Sequence, residues 1–235
     1  MVITLITDFG TSDYFVAAMK GSILSIHPSA SIIDITHEIS NHDIRDAAFT
    51  LAACFSDFPP GTVFTVVVDP GVGSVRRGSA DNGVLSWALE KMADASVVEL
   101  TNRRYFGHRR STTFHGRDIF APVSAHIALG VTLDEFGPPV TDLVRLPALE
   151  PIQNNGGTIG EVIHVDHFGN LITNLTAAHL TNTTSVEING HRLSRRLFSY
   201  GEASPGEIFM IEGSLGFIEI SSREASAAGI VGGKA

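Results

Sequence analysis

Val63-Phe64-Thr65-Val66-Val67-Val68-Asp69-Pro70-Gly71-Val72-Gly73 is the stretch whose reading decides the fold. Residues 63–68 are apolar or β-branched with no polar alternation, the pattern of a strand buried on both faces of a parallel sheet. The run stops at an acid, and Pro70, Gly71 and Gly73 force a loop after it. An Asp at the carboxyl end of such a strand stands where open α/β sheets bind their ligands.

Upstream, residues 2–6 form a second apolar strand, ending at Thr7-Asp8-Phe9-Gly10-Thr11-Ser12-Asp13. Ser12 is placed to cap a helix carrying Phe15, Val16, Met19 and Ile23 on one face and stopping before Pro28. A strand over 32–35 follows, then the polar stretch Thr36 to Asp43, then a helix with Ile44, Ala47, Ala48 and Leu51 inward. Phe58-Pro59-Pro60-Gly61 ends that helix before the Asp69 strand. Strands and helices alternating at this pace predict a mostly parallel sheet with right-handed crossovers. Two acids, Asp8 and Asp69, end parallel strands. Each alone reads as a helix-leading or turn residue; together they point to a shared crevice.

Downstream, Asp81-Asn82-Gly83 begins a helix through Leu85 and Leu89, residues 97–100 read as a strand, and 101–113 as a polar, basic loop. Phe114-His115-Gly116-Arg117-Asp118 then sets a His, an Arg and an Asp between apolar neighbours. That is the pattern of a functional site or of a salt-bridged sheet edge. A helix over 120–129 follows, and 137–157 gathers prolines and polar residues without periodicity, as a linker does. Beyond it lie short strands at 158–165, 171–174, 184–188, 208–212 and 217–220, an Asn189-Gly190 hairpin turn, and a short terminal helix over 222–231. The predicted architecture is an α/β domain over residues 1–140 and a smaller all-β, barrel-like or sandwich domain over 155–235.

Composition narrows the function. A net charge of -9 argues against a nucleic-acid partner, because phosphate binding needs a basic face. No apolar run reaches the length of a membrane span, and no secretory leader is read at the N-terminus, so a cytoplasmic setting is expected. Cys54 is a lone cysteine that reads as a small core residue. The ten histidines show no metal-ligand spacing, so no metal or other cofactor is expected. Gly71-Val72-Gly73 lacks the Lys-Ser or Lys-Thr pair of a phosphate loop, and no Gly-x-Ser-x-Gly elbow is present. Phe168-Gly169-Asn170 reads by itself as a turn, and Tyr200 as a packing aromatic.

Five motifs stand in one order: Ile6-Thr7-Asp8-Phe9-Gly10, Asp69-Pro70-Gly71-Val72-Gly73, Asp81-Asn82-Gly83, Thr113-Phe114-His115-Gly116-Arg117-Asp118-Ile119-Phe120-Ala121-Pro122 and Asp166-His167-Phe168-Gly169-Asn170-Leu171-Ile172-Thr173-Asn174. Together they resemble the adenosine-forming S-adenosylmethionine hydrolases, or hydroxide adenosyltransferases, relatives of the fluorinase and chlorinase enzymes. The resemblance runs from Met1 to about Ala228. It implies a homotrimer whose ligand lies between the N-terminal domain of one subunit and the C-terminal β-barrel domain of its neighbour. It also implies a catalytic triad of Asp69, Arg76 and His115, with Asp8 holding the ribose hydroxyls; Phe9, Val72 and Phe114 are expected to line a dry apolar pocket there. Asn170 and Phe168 match the adenine site and Tyr200 the aromatic that packs on the purine. Asp166, Ser214 and Asp13 match positions around the methionine head.

Two departures from the family pattern stand out. Only Gly78-Ser79-Ala80 separates Arg77 from Asp81, where the family has a longer stretch holding a strand. Leu215 stands where the hydrolases often have a second serine and the fluorinase an arginine. The implied reaction is hydrolysis of S-adenosyl-L-methionine to adenosine and L-methionine by water or hydroxide attack at the 5′ carbon. Two alternatives stay open: a halogenase using the same site, and a nucleoside-binding protein without activity.

Overall fold

A computed structural model describes residues 1–70, 81–109, 111–180 and 185–233. The chain divides into two units, Met1–Leu146 and Pro147–Ala235. The first opens with β1 (Val2–Thr7), α1 (Phe15–Ile26), β2 (Ser31–Thr36), α2 (Ile44–Cys54) and β3 (Val63–Val67). The three strands form one all-parallel sheet in the order β2-β1-β3. Helices cover both faces, which explains the missing polar alternation. Ile3, Leu5, Val63 and Val67 pack on Met19 and Ile23 of α1. Ile6, Val66 and Val68 pack on Ala47 and Leu51 of α2. Asp43 caps α2, its carboxylate accepting the Asp46 N–H at 2.9 Å. Ser12 does not cap α1: the N-cap is Tyr14, with no side-chain bond.

Beyond the sheet, Asp81-Asn82-Gly83 is a turn rather than the start of a helix. The Asn82 amide donates to the Val68 carbonyl at 2.7 Å and its oxygen accepts the Val84 N–H at 3.1 Å. Helix α3 begins only at Ser86 and spans Ser86–Glu90. The expected strand over 97–100 reduces to an isolated antiparallel bridge between Val98 and Pro139. Its remaining bonds are loop bonds, the Glu99 and Thr101 N–H groups donating to Pro138 and Phe136 carbonyls. The helix expected from residue 120 starts earlier, as a π-helical turn over Gly116–Phe120 that runs into α4 (Ala121–Ala128). A buried polar seam ties α4 to β3: the Thr65 and Ser124 hydroxyls meet at 2.6 Å, and Ser124 donates to the Phe120 carbonyl at 2.8 Å.

The second unit holds β4 (Ile152–Asn154), β5 (Gly157–Ile159), β6 (Val162–Val165), β7 (Leu171–Thr176), β8 (Val186–Ile188), β9 (His191–Leu193), β10 (Arg196–Leu197), β11 (Ile208–Glu212), β12 (Phe217–Ser222) and α5 (Ala227–Val231). Among the described residues the pairing gives no closed barrel. It gives an open five-stranded sheet, β10-β11-β12-β7-β6, and the hairpins β4–β5 and β8–β9. The strand expected over 158–165 breaks between β5 and β6. At the break the Asn174 side chain accepts the Glu161 N–H at 2.8 Å and takes the place of a ladder bond. Asn189 and Gly190 turn β8 into β9 with φ of 48° and 79°, the left-handed geometry that selects this pair. Leu171, Leu175, Met210, Ile218 and Ile220 form the core with Ala227 and Val231 of α5. Among the described residues no helix is long and apolar enough to cross a membrane.

Burial sets the expected cost of truncation. Leu5 on the central strand is fully buried, whereas Ile152 is 66% exposed. Leu5→Ala should lower unfolding free energy by about 2–5 kcal/mol, and Ile152→Ala by less than about 0.5 kcal/mol, in urea titrations.

Candidate active site

The β1 strand ends in a buried Thr7 and then turns outward. The Thr7 hydroxyl lies 2.8 Å from His37 Nδ1 and accepts the Phe9 N–H at 3.3 Å. On the other side of the imidazole, Asp34 Oδ1 is 3.1 Å from His37 Nε2. The His37 carbonyl accepts the Gly10 N–H at 2.7 Å, and Gly10 takes φ 65° to make the turn. Burial pushes the Asp34 carboxyl up, but hydrogen bonds from Lys20 and His37 outweigh it and hold Asp34 below its ordinary value. These contacts fix Asp8, whose Oδ2 accepts the His42 N–H at 3.0 Å.

Asp8, Asp69, Phe114 and His115 line one cavity of about 340 Å³, with Phe9, Phe15 and Phe120 as its apolar wall. Phe114 packs edge-on against Phe15 at 5.3 Å and against Phe9 at 5.9 Å between centroids. His115 begins the π turn, and its Nδ1 is buried without a hydrogen-bond partner among the described residues. The turn admits little at Gly116, where a Cβ would stand 3.1 Å from Met19 Sδ. Asn41 and His42, at the carboxyl end of β2, also line the cavity, and residue reading did not single them out for it. Their signal was position: they follow a strand of the same parallel sheet as Asp8 and Asp69. His42 adopts φ 66°, uncommon for a non-glycine residue.

The remaining polar residues of the His115 motif support the wall. Arg117 binds Asp118 through Nε–Oδ1 at 2.6 Å and Nη2–Oδ2 at 3.0 Å. Its guanidinium also stacks on Phe114 at 4.9 Å. Asp118 is buried and accepts the Ser111 N–H at 2.7 Å. Burial pushes the Asp118 carboxyl up, but Arg117 and the Ser111 N–H hold it below the ordinary carboxylate range. His115 thus lines the cavity, and Arg117–Asp118 is an ion pair within a helical turn rather than at a sheet edge.

Asp166, Phe168, Asn170, Tyr200 and Ser214 line a second cavity of about 820 Å³ in the second unit. Asp166 organises the β6–β7 turn. Its Oδ1 accepts the Phe168 and Asn170 N–H groups at 2.9 and 2.8 Å, and its Oδ2 the Asn170 amide at 2.8 Å. Gly169 at φ 83° completes the turn, and a Cβ there would overlap the Ser226 hydroxyl. Phe168 is 76% exposed at the cavity edge. The Tyr200 hydroxyl donates to Glu219 Oε2 at 3.2 Å. Burial raises the Tyr200 pKa, and the charge of Glu219 adds to it. Asp13 is exposed and lines neither cavity. Arg76 and Val72 lie outside the described residues.

Comparison with known proteins gives two family matches. Residues 3–137 match the SAM hydroxide adenosyltransferase N-terminal domain, and residues 160–235 the C-terminal domain of the same family. A protein of Salinispora arenicola named (R)-S-adenosyl-L-methionine hydrolase is 37% identical, over 97% of this chain and 93% of its own. A fluorinase of an Actinoplanes species is 29% identical, over 85% of this chain and 78% of its own. The crystal structure of an uncharacterized conserved protein from Thermotoga maritima superposes with a TM-score of 0.89 at 35% identity, covering 100% of this chain and 97% of that one.

The Asp118 pair predicts an acid dependence. Because its folded pKa is depressed, its stabilisation is present above the unfolded value and is lost as pH falls through the folded one. Asp118→Asn should cost about 1–3 kcal/mol near pH 7, and the difference from the parent should shrink below about pH 4 in thermal melts.

Proposed function

The chain belongs to the SAM hydroxide adenosyltransferase family, and from that premise we propose that it hydrolyses S-adenosyl-L-methionine to adenosine and L-methionine. The observation that carries the reading is the first cavity. There two strand-end acids and a histidine meet a wall of phenylalanines.

In this substrate the sulfonium already activates the 5′ carbon, so no acid is needed for the leaving group. Water oxygen bonds to C5′ as the C5′–S bond breaks. The bonding pair returns to sulfur as a neutral thioether, and one water proton is lost. The protein's task is to hold water in line opposite sulfur and to favour its deprotonation. Attack of hydroxide on a sulfonium cancels charge, so the apolar wall of Phe9, Phe15, Phe114 and Phe120 favours the transition state over separated ions. Either His115, whose buried Nδ1 has no partner among the described residues, or Asp69 accepts the proton. The residue that is not the base orients the other groups. Arg76 supplies the fixed cation that stabilises developing hydroxide. Asp8 holds the ribose hydroxyls with the oxygen edge that His42 leaves open. Phe168, Asn170 and Tyr200 take the adenine, and Asp166 and Ser214 the methionine head. In this reading the ligand lies between the first unit of one copy and the second unit of a neighbour in a homotrimer, and the setting is cytoplasmic.

Incubation with S-adenosyl-L-methionine and chloride, followed by chromatography, tests the reaction. Adenosine is the expected product. A 5′-chlorinated nucleoside would make the chain a halogenase, and unchanged ligand a binding protein. His115→Ala should lower single-turnover rates by about a hundredfold with adenosine affinity kept, while Asp8→Ala should lower affinity as well as rate. Parent-like turnover by His115→Ala would move the base to Asp69. In analytical centrifugation the chain should sediment as a trimer, and a monomer with full adenosine affinity would remove the shared site.

A further inference from the structure

The first unit holds a third cavity, of about 480 Å³, to which the reading above gives no task. It lies among the start of α3, residues 97–100 and the segment 139–144. Hydrogen bonds pin its frame. The Asp81 carboxylate accepts the Val144 N–H at 2.9 Å, and the buried Ser86 hydroxyl accepts the Leu146 N–H at 2.9 Å. The Glu99 and Val140 N–H groups donate to the Pro138 and Val97 carbonyls, both at 2.9 Å. Those last bonds use only one edge of 97–100. Among the described residues the backbone groups of Val98 and Leu100 make no hydrogen bond.

The wall is apolar and the charges on it have one sign. Leu85 and Leu89 stand one helical turn apart, with Val140 and Leu143 beside the same cavity. Leu85 and Val144 are each 41% exposed, so the unit leaves large apolar side chains uncovered here. Val98 and Leu100 pack on the cluster of Tyr105, Val123 and Phe136, and alternation turns Val97 and Glu99 to the other face. The charged residues of the lining are Asp81, Glu99 and Asp142, and among the described residues no Lys, Arg or His joins them. Glu99 is half-buried, and among the described residues its carboxylate has no ion-pair or hydrogen-bond partner. A pre-formed apolar chamber with free carboxylates matches an apolar molecule that carries one charged N–H donor group. Three acids repel an anion, and a neutral molecule would leave Glu99 desolvated with nothing to bind.

We propose that this cavity is a binding site for an apolar primary amine. Its ammonium group donates to Glu99 and to the free edge at Val98 and Leu100, and its hydrocarbon body lies against Leu85 and Leu89. The site stands apart from the S-adenosylmethionine reading and uses none of the polar residues assigned there. Among the described residues Phe120 alone lines both this cavity and the first. An occupant therefore touches the wall of the first cavity at that residue, within the π-helical turn that His115 begins.

Calorimetry with phenethylamine and hydrocinnamate tests this, since the two share a ring and chain length and carry opposite charges. Salt at about 0.15 M screens the general attraction of an acidic chain for cations. The parent should bind phenethylamine about tenfold or more tightly than hydrocinnamate. Glu99→Gln keeps the size of the side chain, removes its charge and should weaken phenethylamine about tenfold. Leu89→Trp fills the chamber and should abolish binding of the amine. Equal affinity of the parent for both probes would overturn the proposal. So would parent-like amine binding by Glu99→Gln, which removes the charge recognition, or by Leu89→Trp, which places the amine elsewhere. Should Leu89→Trp fail to fold, Glu99→Gln decides alone.

Discussion

The first unit depends on how a fully buried strand hands its chain to a polar turn. β1 is the middle strand of its sheet, and a polar group at its end must be satisfied internally. Thr7 meets this with His37, and His37 in turn sits beside Asp34. The same imidazole residue closes the turn through its carbonyl to Gly10. One hydroxyl–imidazole contact thus ties two neighbouring strands together just beneath Asp8.

Much of this was legible because it follows from short-range rules. Residues 63–68 read as a strand covered on both faces, and α1 and α2 cover it. Asn189-Gly190 read as a hairpin, and its left-handed angles explain why. The misses share a different cause. Residues 97–100 have strand composition, but their partner is the segment after α4, and they pair with it by one bridge and loop bonds. The π turn at Gly116 is set by close packing on Met19, which no local pattern announces.

The first cavity sets Asp8, Asn41, His42, Asp69 and His115 against a wall of aromatic rings. The second sets carboxylates, an amide and a tyrosine beside the exposed Phe168. Residue reading found the groups that end strands or sit in dense motifs.

The central place of β1 has a consequence for how the molecule breathes. A middle strand with both neighbours paired and its side chains buried releases its amide hydrogens only in the largest openings. Asp8 follows directly on that strand. The edge strand β2 is largely exposed and opens sooner. The Asn41–His42 side of the first cavity therefore follows the strand that opens first, and Asp8 follows the strand that opens last.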